Sequence, residues 1–503
     1  MSCDPFQFGV GQSLLERLPT ELLRRILMFV TLNPSPDRSS QRPSMMQSEL
    51  QASLFRLTTL MNSLLESSRI NDTIQPAKTS LPCLLTSRTL YMTALPVMYR
   101  DVTTYEPSTF GKFVAQVRCY PQVGTLVRSL DLSPIRSSDP GLDEANLTIP
   151  LPELIRITPL LRKIKIGPNL QNHIDEYFLR LLFCDLKFVE SVDLSECSLL
   201  NLAWDFLEFS REPDFKITNS IIHLSLHGCQ DIPSAVFKVL LPHLPRIQTL
   251  DVANTQITSE ALASLSISAR LKELDVSHCH SLSGANVVEF LLNHASVKNT
   301  LISLKVEVTI GQSVLSEEDI TKILLHTTPT LRSLNLKNSN MNSTHIPYFR
   351  RFVSQLEELH VGSQMRLQDI EAAFLNEEAE FHQLTDEEPI VVESKYHTML
   401  DPMEEAVSVC KLRHRINSTP LGTVKSKLRY LDISSISTSE QGRIRTSVLL
   451  GPISFPLEVI EISEKMYDRY KIIPRLCRSV GWDVRWEGRR CWLVRKQVLE
   501  RND

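Results

Sequence analysis

The sequence predicts an α/β solenoid, a stack of short parallel strands joined by helical or irregular returns, and two observations carry that expectation. The first is self-similarity: IIHLSLHGC from Ile221, IQTLDVANT from Ile247 and LKELDVSHC from Leu271 all place apolar residues first, fourth and sixth. That spacing lets a short strand turn its fourth and sixth side chains to one face and their neighbours to the other. The second is recurrence. The template also starts at Val127, Leu161, Val189, Leu301, Leu331, Leu356, Leu428 and Leu457, at intervals of 24 to 34 residues broken once by a gap of 72. One such strand cannot bury its apolar face alone, whereas stacked neighbours make a continuous core.

The chain has 503 residues, 42% of them hydrophobic, which is ample for a large core. A formal net charge of -4 is small for that length, so neither a polyanion nor a membrane surface is implied as a bulk partner, and nucleic acid is not expected. Ten cysteines are scattered without a C-x-x-C pair, a usage that favours a reducing compartment over a disulfide framework. The opening MSCDPFQFGVGQSLLERLPTELL lacks the pattern of a secretory signal, and no apolar run reaches the roughly 18 residues of a spanning helix. A soluble protein of the cytoplasm, the nucleus or both is expected.

The repeats resemble leucine-rich repeats from about residue 123 to 463, and specifically the cysteine-containing subfamily. Cys197, Cys229 and Cys279 each fall eight residues after a template start, where in that subfamily a small side chain bonds the turn backbone. The resemblance implies a horseshoe whose concave surface is lined by the residue between the two inward positions of each strand. That row reads Asp131, Lys165, Asp193, Ser225, Asp251, Asp275, Lys305, Asn335, His360, Asp432 and Glu461. Two readings stand side by side: a shallow acidic groove for a basic partner segment, or aspartates kept because they are soluble and bond their neighbours. The candidate substrate contacts are Asp193, Asp251, Asp275, Lys305, Asn335, His360 and Asp432.

Ahead of the array, LLERLPTELLRRILMFV at residues 14–30 reads as an amphipathic helix. Pro19 suits the first turn, Thr20 and Glu21 place capping and acidic groups near the start, and Leu22, Leu23, Ile26, Leu27 and Val30 form one stripe. Together with SLPCLLTSRTLYMTALPVMYRDV at residues 80–102, this stretch resembles the two halves of a fungal-type F-box. The module then covers residues 12–102 with an insertion at 31–80, which opens as a loop and continues with a helical leucine pattern. The resemblance implies a small helical module that docks on a Skp-type adaptor and, through it, on a cullin-based SCF ubiquitin ligase. Carried over by motif position, the docking candidates are Leu18, Pro19, Leu22, Leu23, Ile26, Leu27, Leu84, Leu85, Ser87 and Leu90, some of which must pack within the module instead.

Residues 103–122 read as a connector and N-terminal cap, with a strand followed by a helix from Ser108. Ser259 and Ser283 are candidate helix caps, and Glu317, Glu318 and Asp319 make an acidic helix start. The gap in the repeat places a charged insertion at 363–427, where twelve Asp or Glu lie between Asp369 and Glu405 against Lys395 alone. Residues 464–503 are expected to cap the array, with DVRWEGRRCWLV forming a hairpin around Glu487 and Gly488.

No catalytic constellation emerges. GVGQS at residues 9–13 lacks phosphate-loop spacing, His278, Cys279 and His280 diverge too much to hold a metal by themselves, and Cys477 and Cys491 have no orienting histidine nearby in sequence. No cofactor is expected. The reading is a non-catalytic substrate adaptor of a ubiquitin ligase; the alternative is a repeat scaffold whose N-terminal helices only cap the array, with no ligase role.

Overall fold

The computed structural model describes residues 20–24, 88–105, 107–135, 151–212, 215–217, 220–308, 315–326, 328–374, 426–465, 477–487 and 490–496. The chain divides into two compact units, Met1–His173 and Ile174–Asp503.

In the first unit a helix at Arg88–Arg100 runs directly into strand β1 (Asp101–Thr103), which pairs in parallel with β2 (Ser129–Asp131), and β2 with β3 (Lys163–Lys165). β1 precedes the first template start and straddles the boundary drawn at residue 102, with only Thr103 inside the connector expected at 103–122. The helix that follows it begins at Pro107 and ends at Cys119, burying Phe110, Val114 and Val117 along one stripe. Gly124 ends the next short turn, where a Cβ would stand 2.0 Å from the Ile157 carbonyl oxygen, so only glycine permits that approach.

The second unit is an open, mostly parallel ladder. Its strands are β4 (Ser191–Asp193), β5 (His223–Ser225), β6 (Thr249–Asp251), β7 (Glu273–Asp275), β8 (Ser303–Lys305), β9 (Ser333–Asn335), β10 (Glu358–His360), β11 (Tyr430–Asp432) and β12 (Val459–Ser463). β13 (Trp482–Glu487) and β14 (Arg490–Arg495) form an antiparallel hairpin whose second strand pairs with β12. Across the two units a strand begins two residues after each of the eleven template starts. The inward positions of the ladder stack on one another, Leu224 beside Leu250, Leu250 beside Leu274, Leu274 beside Leu304 and Leu304 beside Leu334. All of them are at most 1% exposed, which removes each leucine from water for about 1.5–3 kcal/mol apiece.

Strand ends show a second periodicity. Glu196, Gly228, Asn254, His278 and Asn338, each seven residues after a start, adopt positive φ angles between 56° and 73°. That left-handed residue turns the chain out of the strand. Where cysteine follows, the buried thiol donates into the preceding repeat: Cys229 Sγ to the Leu194 oxygen and Cys279 Sγ to the Val252 oxygen, both at 3.1 Å. The thiol adds a second donor to a carbonyl that already accepts one, the Leu194 oxygen from the Cys197 N–H at 3.2 Å and the Val252 oxygen from Thr255 Oγ1 at 2.7 Å.

Three expectations need correction. Ser259 is the first helical residue of Ser259–Ala263, and the cap is Thr258, whose side chain accepts from the Ala261 N–H; Ser283 occupies its cap position without a side-chain bond. The charged insertion does not begin at 363: Leu367–Ala372 is a return helix like those before it, with Ile370 and Phe374 fully buried. The gap therefore narrows to residues 375–425, which lie outside the described residues, as do residues 31–80. The remaining correction concerns the outward row. Asn335, Asp432 and Glu461 are buried, at 8%, 1% and 4% exposure, because groups from neighbouring strands cover them.

Candidate functional site

Two surfaces carry the residues singled out in the sequence. In the first unit, the helical turn at residues 20–24 separates neighbours that sequence alone could not: Leu22 is 46% exposed and Leu23 is 1% exposed. In the helix Arg88–Arg100, Leu90 is buried together with Thr93 and Ala94, one turn apart, while Tyr91 and Met92 are exposed. Leu23 and Leu90 thus pack inside the protein and are corrected from docking contacts to core, whereas Leu22 faces outward. Leu18, Pro19, Ile26, Leu27, Leu84, Leu85 and Ser87 lie outside the described residues.

The second surface is the strand face of the ladder. Strand register sets Ser225, Asp251, Asp275, Lys305, Asn335, His360, Asp432 and Glu461 side by side, each opposite the next. Asp193 heads the same row opposite Ser225. The aspartates make one local bond in common. Asp193, Asp251, Asp275 and Asp432 each accept the backbone N–H two residues on, at 2.8–3.1 Å, and Asn335 does the same for Lys337 at 2.9 Å. These side chains close the turn that leaves the strand. Their charge is a separate matter, because Asn335 closes its turn without one.

Electrostatics differ along the row. Asp251 and Asp275 are directly opposite one another, and burial together with the neighbouring Asp275 charge raises the Asp251 carboxyl. Lys305 lies 3.3 Å from Asp275, and His227 lies 3.7 Å from Asp251. Farther along, Asp432 receives Lys337 Nζ at 3.1 Å and His360 Nδ1 at 2.9 Å. Glu461 receives Arg490 through Nε at 3.0 Å and Nη2 at 2.6 Å, Trp492 Nε1 at 2.9 Å, and the Tyr430 hydroxyl. Burial, with the Glu461 hydrogen bond and charge added, pushes the Tyr430 phenol well above its ordinary range, so it remains a donor. Sequence reasoning missed Tyr430, Glu461, Arg490 and Trp492 as a cluster. Arg490 and Trp492 alternate in DVRWEGRRCWLV with Glu461 two strands of sequence away, and only the β12–β14 pairing brings them together.

Burial pushes the Cys477 thiol up to about 12 and Cys491 to about 11, the opposite of what a thiolate nucleophile needs. Among the described residues no cluster of three or more His, Cys, Asp or Glu could hold a metal ion, and no helix is long and apolar enough to cross a membrane.

The chain matches no known family profile. It is 24% identical over 431 residues to F-box protein YLR352W of Saccharomyces cerevisiae, an alignment covering 73% of this chain and 49% of that protein, so the chain spans about half the length of the curated relative it matches. Among solved structures it aligns with the crystal structure of the Rad7 and Elc1 complex in yeast, at 13% identity and a TM-score of 0.31, over 79% of this chain and 84% of that chain.

Proposed function

We propose that the chain is an F-box protein with leucine-rich repeats of the cysteine-containing kind, acting as the substrate-recognition adaptor of an SCF-type ubiquitin ligase. Residues 12–102 dock on a Skp-type adaptor, the strand face takes a protein substrate, and catalysis belongs to the ligase partners. The mechanism is proximity: one module holds the ligase core while the ladder holds the substrate, so that a substrate lysine stays near the transferring enzyme. The observation that carries the reading is the similarity to a protein named as an F-box protein across 73% of the chain. The outward Leu22 beside the inward Leu23 supports it, since a docking helix needs one apolar residue left for the partner. The cytoplasm, the nucleus or both are the proposed compartments.

Co-purification with a recombinant Skp-type adaptor tests it. Wild-type chain should retain the adaptor, and Leu22→Asp should lose it with thermal unfolding unchanged. Absence of adaptor binding by folded wild-type protein overturns the ligase reading in favour of a repeat scaffold.

A further inference from the structure

Which charges reach solvent changes along the strand face. At β4, β6 and β7 the row position holds half-buried aspartates. At β11 and β12 it holds Asp432 and Glu461, whose side chains are only 2% and 5% exposed. Cationic and aromatic groups from the turn after β9, from β10, from β11 and from the hairpin roof them over. Arg490 grips Glu461 with two nitrogens, lies 5.2 Å from the centre of the Trp492 ring, and still exposes 56% of its side chain. Arg485, the register partner of Trp492, is exposed and makes no ion pair among the described residues. Two exposed carboxylates lie close by: Asp483 is answered by Lys496 at 3.5 Å and Arg478 at 3.8 Å, and Glu358, the register partner of Tyr430, accepts from Ser333 Oγ at 3.0 Å.

Stability alone does not account for this arrangement. Burying a carboxylate is costly even when it is paired, and apolar replacements of buried ion pairs are often neutral or stabilising. What the two carboxylates do is fix the heads of Lys337, His360, Tyr430, Arg490 and Trp492 in one geometry, the preorganisation a binding surface requires. Arginine, tyrosine and tryptophan are also the residue types that dominate binding hot spots.

We propose that this end of the strand face, formed by Lys337, His360, Tyr430, Arg485, Arg490 and Trp492, binds an acidic segment of a protein partner. The segment's carboxylates meet the arginines and Lys337, and its apolar atoms lie on Trp492 and Tyr430. This rests on the reading of the strand face as the substrate surface, and it reverses the polarity that the acidic row suggests in sequence. Asp432 and Glu461 are spent inward on their own cations, and the outermost charges beside Trp492 are the arginines Arg485 and Arg490, so the complementary partner is an anion.

The test is fluorescence polarisation with the full chain and a fluorescein-labelled octapeptide of Glu and Asp around a central Leu, against the matched Lys and Arg octapeptide. The acidic peptide should bind in preference to the basic one and weaken as salt rises from about 50 to about 300 mM. Arg485→Glu should weaken it by about tenfold or more, with thermal unfolding and adaptor co-purification unchanged, while Asp251→Asn leaves it unaffected. Equal or preferred binding of the basic peptide, no binding of the acidic one, or indifference to Arg485→Glu each overturns the proposal. Because adaptor co-purification is measured separately, loss of the ligase reading would register there and not in the peptide titration.

Discussion

His360 Nδ1 stands 2.9 Å from Asp432 Oδ2, although 72 residues of chain separate the two. The pair joins β10 to β11, the strands on either side of the gap in the repeat, and Lys337 from the turn after β9 reaches the same oxygen at 3.1 Å. One carboxylate therefore ties three repeats together where the repeat interval fails. Burial by itself would raise the Asp432 carboxyl. The hydrogen bond from His360 and the positive charge of Lys337 outweigh burial and hold it well below the usual carboxylate range.

The sign of the resulting pH dependence follows from that depression. A carboxyl whose folded value lies below its unfolded value of about 3.9 adds stability that is fully present above about pH 4 and is lost as pH falls toward the folded value. Denaturant unfolding of the wild type should therefore weaken steeply below about pH 4. Asp432→Asn should be less stable at neutral pH by about 1–3 kcal/mol and decline less steeply in the acid range. Parallel curves for the two proteins would show that Asp432 is not the group responsible.

How much of this was legible in the sequence depends on how far away the deciding partner lies. Leu224, Leu250 and Leu274 announce their inward placement through spacing alone, because strand alternation is local. Burial of Asp432 and Glu461 is not local. Lys337 and His360 cover Asp432 from 95 and 72 residues away, and Arg490 and Trp492 cover Glu461 from an antiparallel hairpin that the parallel repeat template does not describe. The left-handed turns are legible at Gly228, Asn254 and Asn338, less so at His278, and not at Glu196, a residue type that gives no hint of positive φ. Leu22 and Leu23 belong to the same apolar stripe, and only the packing around them sorts one from the other.

Replacing residues 375–425 with a short Gly/Ser linker should preserve a cooperative thermal transition with little change in midpoint. The β10–β11 pairing and the Lys337 and His360 contacts to Asp432 all lie outside that span. Loop-closure cost varies slowly with length. Phe374→Ala, immediately before the span and fully buried, should by contrast cost about 3–5 kcal/mol. A collapse of stability on linker replacement would mean that the ladder depends on the replaced residues.

At the other end of the second unit, Trp482 is fully buried, donates from Nε1 to the Leu450 oxygen at 2.8 Å, and stacks under Arg495 at 4.5 Å from the ring centre. Arg495 also bonds the Leu457 and Gly451 oxygens, so the hairpin is fastened to the last return by both side chains. Trp482→Ala should destabilise by about 3–5 kcal/mol. Trp482→Phe, which keeps an aromatic ring but orphans the Leu450 carbonyl, should cost about 1–3 kcal/mol. Equal unfolding midpoints for wild type and Trp482→Ala would contradict the packing role.

The sharpest test of the register sets two adjacent residues against each other. Leu250 is fully buried between Leu224 and Leu274, so Leu250→Asp places an unpaired charge in the core and should cost on the order of 3–5 kcal/mol, enough to abolish cooperative unfolding. Asp251, one position on, faces the other way. Its carboxyl is raised by burial and by the Asp275 charge opposite, which means that its ionised form opposes folding above about pH 4 and stops doing so once it is protonated in both states. Asp251→Asn keeps the acceptor that bonds the Ala253 N–H, as Asn335 does for Lys337 at the equivalent position, and removes the like-charge opposition. It should raise stability at neutral pH by about 0.2–1 kcal/mol, with the gain vanishing below about pH 4. Denaturant unfolding of the two variants at pH 7 and pH 3.5 decides the matter: a destabilised Asp251→Asn at neutral pH would mean that its charge holds the turn, and that the strand face is not free to spend it on a partner.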